Sequence, residues 1–203
     1  MIVEQLAPRG ITDPRVLAAM SRIPRERFVP SASKDHAYLD SPLPIGNDQT
    51  ISQPYIVALM SQLLKLRGHE RVLEIGAGCG YQSAILAHLA TNVCALEINE
   101  ELQKQAEVTL CGLGITNVDL RRGSGLDPWP ERGHFDAILA ACAPTEIPST
   151  LIAQLAPGGR LVLPVGPSGG IQTLQRLWKL PNGTTTCEDI TPVRFVPMLA
   201  PGS

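Results

Sequence analysis

The sequence predicts a doubly wound α/β domain, built on a mostly parallel sheet of seven strands and preceded by a helical cap. Three observations carry this. After Gly68, short apolar runs alternate with stretches of helical periodicity. One of those runs enters a glycine-rich turn directly. Before Gly68, Pro24, Pro30, Pro42 and Pro44 break the chain too often for one long helix or a central strand.

Taken in order, Val16, Leu17 and Met20 recur at helical spacing behind Asp13, a candidate N-cap, and Pro14, which suits the first helical position. The proline-broken stretch that follows has Tyr38, Leu43 and Ile45 to pack with. A second helix is expected over residues 53–66, where Ile56, Val57, Leu59, Met60, Leu63 and Leu64 keep helical rhythm after Pro54. Residues 1–65 therefore read as the cap and residues 66–203 as the core. In the core, strands are expected at 72–75, 93–96, 118–120, 135–140 and 161–165, with helices at 81–90, 100–113 and 149–155. Gly112 and Gly114 supply the stop for the second of these helices. The last two strands are expected as a pair at 173–180 and 193–196 near the turn Pro181-Asn182-Gly183, and their order in the sheet is left open.

Bulk properties disfavour some functions. A net charge of -2 and a pI near 6.1 give no electrostatic footprint for nucleic acid. No apolar run approaches the roughly 18 residues of a membrane span, and the N-terminus lacks a basic start followed by an apolar stretch. Cys79, Cys94, Cys111, Cys142 and Cys187 are scattered singly, with no Cys-x-x-Cys pair and no histidine at metal-ligand spacing. The expectation is a cytoplasmic protein without a metal, working as a single copy.

The chemistry concentrates at Val72-Leu73-Glu74-Ile75-Gly76-Ala77-Gly78-Cys79-Gly80, a buried strand that runs into a helix-opening turn where a ligand can lie on bare backbone. In the dinucleotide fingerprint the third glycine follows the second by three positions; here Tyr81 stands there and the glycine is at 80, which disfavours a nicotinamide cofactor. Glu97 ends the next strand, 21 residues after Gly76, where a carboxylate can accept both ribose hydroxyls of a nucleoside. With Phe135-Asp136-Ala137-Ile138 and Leu155-Ala156-Pro157-Gly158-Gly159-Arg160-Leu161, the set resembles the class I methyltransferases. That resemblance implies S-adenosyl-L-methionine as cofactor and S-adenosyl-L-homocysteine as product.

The stretch from Ser41 to Tyr55, and above all Thr50-Ile51-Ser52-Gln53-Pro54, is similar to the signature of the protein-L-isoaspartate O-methyltransferases. The resemblance extends to Arg22-Ile23-Pro24-Arg25-Glu26-Arg27-Phe28-Val29-Pro30, to Trp129-Pro130, to residues 154–166 and to Val193-Arg194-Phe195-Val196-Pro197. It implies a repair enzyme that methylates the free carboxylate of isoaspartyl residues in proteins and peptides, the ester then collapsing through a succinimide that partly reopens as aspartate. It also implies Ser52 as the active-site serine, orienting the carboxylate, and a cofactor pocket drawn from Gln49, Thr50, Ile51, Ser52, Glu74, Gly76, Ala77, Gly78, Gly80, Glu97, Ile98, Ser124 and Gly125. No Gly-x-Ser-x-Gly elbow surrounds Ser52, so it is not read as a nucleophile. Tyr55 is a candidate for the cofactor's amino-acid end or for the substrate. The four histidines are read as surface or packing residues.

Two departures stand out. The family's Gly-Asp-Gly after the third core strand is Gly123-Ser124-Gly125 here, with Asp127 as an alternative acid for adenine, and its Thr-Ala-Ala-like stretch is Ala140-Ala141-Cys142-Ala143-Pro144. Other readings of the same motifs are a carboxyl methyltransferase of a peptide natural product or small acid, and an adenosyl-binding module without catalysis.

Overall fold

The structure, a computed structural model, describes residues 1–126, 129 and 133–200. Local chemistry starts the first helix as expected. The Asp13 side chain accepts from the amides of Arg15 and Val16, Pro14 takes the first position, and α1 (Pro14–Arg22) buries Val16, Ala19 and Met20. Helix α2 (Pro54–Leu63) has no cap from its own N-terminal residue Gln53. Its orphan Tyr55 amide donates instead to Asp40 Oδ1 at 3.0 Å, a bond that ties the proline-broken segment to the helix.

Between the helices lies a hairpin that hydrophobic periodicity did not reveal, β1 (Leu43–Gly46) with β2 (Gln49–Ile51). Strands of four and three residues are too short to show an alternation. The local clue is Gly46-Asn47-Asp48: Asn47 and Asp48 both take positive φ, 52° and 55°, as a two-residue hairpin turn requires.

The core sheet contains β3 (Arg71–Ile75), β4 (Asn92–Glu97), β5 (Val118–Arg122), β6 (Phe135–Ala140), β7 (Leu155–Val165), β8 (Gln172–Lys179) and β9 (Thr185–Val193). Its order is β5-β4-β3-β6-β7-β8-β9, the first five strands parallel and the last two antiparallel to their predecessors. The chain winds outward from β3 to β5 and then resumes at β6 on the other side of β3, so the topological switch point lies at the carboxyl end of β3. Helices α3 (Tyr81–Ala87), α4 (Glu100–Gly112) and α5 (Ser149–Gln154) make the connections.

Two boundaries differ from expectation. Strand β7 begins at Leu155, directly after α5, and takes in Pro157-Gly158-Gly159 as an irregularity in its pairing with β6. The last strand is Thr185–Val193, not 193–196, because the turn at 180–184 closes tightly and the returning chain pairs at once, Thr185 opposite Lys179. That strand is an exposed, threonine-rich edge with little apolar signal.

Side chains of β3 alternate between two cores. Val72 joins a cluster containing Leu6, Val16, Met20, Val57, Met60, Tyr81 and Ile85, whereas Leu73 and Ile75 join Leu96, Phe135, Ile138, Leu151 and Leu161. The cap thus shares a core with one face of the sheet.

Candidate active site

At the switch point β3 ends in the glycine-rich loop, where Gly76, Gly78 and Gly80 adopt φ of 79°, 55° and 86°. The amides of Gly76 and Ala77 both donate to the Leu96 carbonyl at the end of β4, at 2.8 and 3.1 Å. A side chain on Gly78 would stand 3.3 Å from Ile45 of the hairpin, so its bare backbone is what keeps the space beside it open.

That space is a cavity of about 410 Å³, within the range of small-ligand sites. Of the residues expected to form the cofactor pocket, Gln49, Thr50, Ile51, Ser52, Gly76, Ala77, Gly78, Glu97, Ile98, Ser124 and Gly125 line it. Two expected residues do not. Glu74 is wholly buried away from its wall, because its position on β3 points it into the interior, and Gly80 is the N-cap of α3, pressed so close to α4 that a Cβ would sit 3.1 Å from Ala106 Cβ.

Glu97 is nearly inaccessible, and its carboxylate is held from both sides: Oε2 accepts from the Gly78 amide at 2.7 Å and Oε1 from the Asn99 amide at 2.9 Å. Each oxygen keeps lone-pair capacity for a ligand hydroxyl. Glu74 is the opposite case. Among the described residues neither of its oxygens makes a hydrogen bond within normal geometry, and burial raises its pKa to about 7, the nearby Ser83 hydroxyl opposing the rise and the charge of Glu97 adding to it. Cys142 and Cys79 also line the cavity, and burial pushes their thiols up to about 12 and about 11, so both are neutral near pH 7.

The sequence reading missed the roof. Val196, Pro197, Met198 and Leu199 cross the cavity, held by the amide of Ala143 on the Val196 carbonyl (2.8 Å) and the amide of Met198 on the Ala143 carbonyl (2.9 Å). Ser124 belongs to the same closure: its hydroxyl donates to the Leu199 carbonyl at 2.6 Å and accepts from the Leu126 amide at 3.1 Å. Asp127, the alternative acid, lies outside the described residues. Val193-Arg194-Phe195-Val196-Pro197 was the available signal, but nothing in its spacing pointed to a cavity.

A second, wider groove of about 870 Å³ adjoins the first. Arg9, Tyr55, Ile171, Arg194 and Phe195 form its walls, and it shares Thr50, Ser52, Ala141, Val196 and Pro197 with the cavity. Ser52 stands at the junction. Its hydroxyl makes no hydrogen bond to another described residue, and it does not cap α2. Tyr55 faces the groove and not the cavity, with the Arg9 guanidinium 3.4 Å above its ring and paired with Asp40. No histidine lines either space.

Residues 1–201 match the family model of Protein-L-isoaspartate(D-aspartate) O-methyltransferase. The chain is 56% identical over 198 residues to Protein-L-isoaspartate O-methyltransferase 2 of Anaeromyxobacter sp. (strain Fw109-5), covering 98% of this chain and 81% of that one. It is 50% identical over 197 residues to Protein-L-isoaspartate O-methyltransferase of Myxococcus xanthus (strain DK1622), covering 96% and 93%. Among solved structures, a putative protein-L-isoaspartate O-methyltransferase from Plasmodium falciparum in complex with S-adenosyl-L-homocysteine superposes with a TM-score of 0.83 at 25% identity, covering 98% of this chain and 96% of that one.

Proposed function

Because the chain belongs to the protein-L-isoaspartate(D-aspartate) O-methyltransferase family, we infer that it transfers the methyl group of S-adenosylmethionine to the free carboxylate of isoaspartyl residues in damaged proteins. The observation that carries the reading onto this chain's residues is the meeting of two cavities at Ser52, one suited to the cofactor and one wide enough for a peptide. The cofactor supplies a methyl group already activated on a sulfonium.

The protein's part is placement. A carboxylate of pKa about 4 is ionised at neutral pH and needs no general base, which agrees with two cavities free of histidine. Glu97, fixed by two backbone amides, accepts the ribose hydroxyls. The bare backbone at Gly76 to Gly78 admits the cofactor's amino-acid end. Gln49, Thr50 and Ile51 close the pocket from the hairpin, and Ser124 borders its far end and fastens the 196–199 roof. Ser52, with its hydroxyl uncommitted, orients the incoming carboxylate in line with the methyl group. The groove between Arg9 and Arg194 takes the peptide on either side of the isoaspartyl residue.

All five cysteines are free thiols, which supports a reducing, cytoplasmic setting, and no helix among the described residues is long and apolar enough to cross a membrane. We take the working unit to be one copy of the chain.

The test pairs two peptides differing only in aspartate versus isoaspartate with labelled cofactor. Base-labile methyl ester should form at least about a hundredfold faster on the isoaspartyl peptide, a gap of about 2.7 kcal/mol. Equal rates, or transfer only to a small acid, would overturn the assignment.

A further inference from the structure

Arg25 is a fully buried arginine in the cap, on the short helical turn Arg25–Arg27. Burying a guanidinium is costly unless its N–H groups are used. Among the described residues no carboxylate forms an ion pair with it. Burial accordingly lowers its pKa. What it holds is backbone: Nε donates to the Ala37 carbonyl at 2.7 Å, and Nη2 donates to the Ser52 carbonyl at 2.8 Å. Among the described residues its remaining nitrogen, Nη1, makes no hydrogen bond to a carbonyl or carboxylate. The flat guanidinium lies 4.8 Å from the centroid of the Tyr81 ring, which is braced edge-on by Phe28 at 5.4 Å. Tyr81 in turn opens α3 and lines the cofactor cavity.

The Ser52 carbonyl needs such a partner. Strand β2 stops at Ile51 and α2 starts at Pro54, so Ser52 lies in a two-residue gap outside both regular elements. Ser52 itself lines both cavities where they meet. A rigid fork on the carbonyl therefore fixes the backbone from which the Ser52 hydroxyl projects.

We propose that Arg25 is a positioning residue for methyl transfer, fixing the Ser52 backbone from inside the cap so that the Ser52 hydroxyl meets the acceptor carboxylate in line. The proposal rests on the reading of Ser52 given above. It accounts for a cation kept in the core, and it gives the Arg22 to Pro30 segment a role beyond packing. Lysine at this position offers a compact point charge in place of a planar fork and cannot hold the two carbonyls in the same geometry.

The experiment is a double-mutant cycle on the full chain with Arg25→Lys, Ser52→Ala and the pair, following turnover of an isoaspartyl peptide, its KM, S-adenosylhomocysteine affinity and melting temperature. Arg25→Lys should lower turnover about tenfold to thirtyfold while cofactor affinity and peptide KM stay within about threefold, because misplacement slows the transfer more than the binding. In the Ser52→Ala background the same change should cost less than about threefold, since no hydroxyl is left to misplace. Phe28→Leu, which loosens the Tyr81 ring without touching Ser52, should lower the melting temperature and cost the same factor in both backgrounds. Should Arg25→Lys fail to fold, Arg25→Gln, which buries no charge, carries the same cycle.

An equal loss from the Arg25 change in both backgrounds, with Ser52→Ala itself impaired, would overturn this proposal and leave the Ser52 reading intact. Normal turnover in Arg25→Lys would also overturn it. Normal turnover in Ser52→Ala would remove both.

Discussion

The two cavities that meet at Ser52 are built in different ways. The cofactor side is mainly backbone: a glycine loop, amides donating to the Leu96 carbonyl and to Glu97, and a roof of chain held by amide-carbonyl pairs. The groove proposed for the peptide is assembled from side chains of distant segments, with Arg9 stacked on Tyr55 and tied to Asp40, and with Ile171, Arg194 and Phe195 in the same lining. Backbone cradles are set by a few contiguous residues and lose much when one anchor goes. Side-chain walls distribute the work and tolerate single changes.

The sharpest contrast on the cofactor side is between two glutamates, one satisfied and one not. Glu74 carries a proton up to a pKa of about 7 in the folded protein, whereas in the unfolded chain its pKa is about 4.5. Between those values the folded chain binds the extra proton, so this residue lowers stability progressively as pH rises from about 4.5 to about 7, and the loss is complete above that. At 1.36 kcal/mol per pKa unit the full span is about 3 kcal/mol. The advantage of Glu74→Gln over the parent in urea unfolding should therefore be about 3 kcal/mol larger at about pH 8 than at about pH 4.5. The same advantage at both pH values would mean that Glu74 finds a partner the structure does not show.

Glu97 tests the cradle from the other direction. Glu97→Ala leaves the Gly78 and Asn99 amides and two ribose hydroxyls without their charged acceptor, and should weaken S-adenosylhomocysteine binding by roughly 1.5 to 3 kcal/mol, measured by calorimetry. Unchanged affinity would place the ribose elsewhere.

On the peptide side the expected effect is smaller. Arg9 is partly exposed and its ion pair is worth at most about 1 kcal/mol, so Arg9→Ala should raise the peptide KM by no more than about fivefold. Cofactor affinity should stay as it was. A large loss of cofactor binding would break the division between the two sides.

The same division explains what the sequence made legible. Strand β3, its glycine loop and Glu97 are readable because a buried run, a turn and an acid sit at fixed short spacings, and the structure puts Gly76, Gly78 and Glu97 on one cavity. Glu74 and Gly80 share that motif, but the Glu74 side chain is buried in the protein and the Gly80 backbone is pressed against α4, because alternation along a strand and the start of a helix decide direction, and the motif as a string does not encode direction. The groove and the roof depend on contacts between residues far apart in sequence, such as Ser124 with Leu199 or Arg25 with Ser52, and no local periodicity announces them. The misplaced last strand has the same origin: Thr185–Val193 is polar, and what fixes it is the hairpin turn and its pairing with β8.

In the proposed arrangement Ser52 joins a cofactor cavity it does not hold together to a substrate groove it serves. Ser52→Ala tests this directly, with turnover of an isoaspartyl peptide and S-adenosylhomocysteine affinity measured on the same preparation. Turnover should fall about tenfold to a hundredfold while the dissociation constant moves by less than about threefold, because positioning is lost and the pocket survives. Normal turnover, or a collapse of cofactor binding in step with turnover, would contradict it.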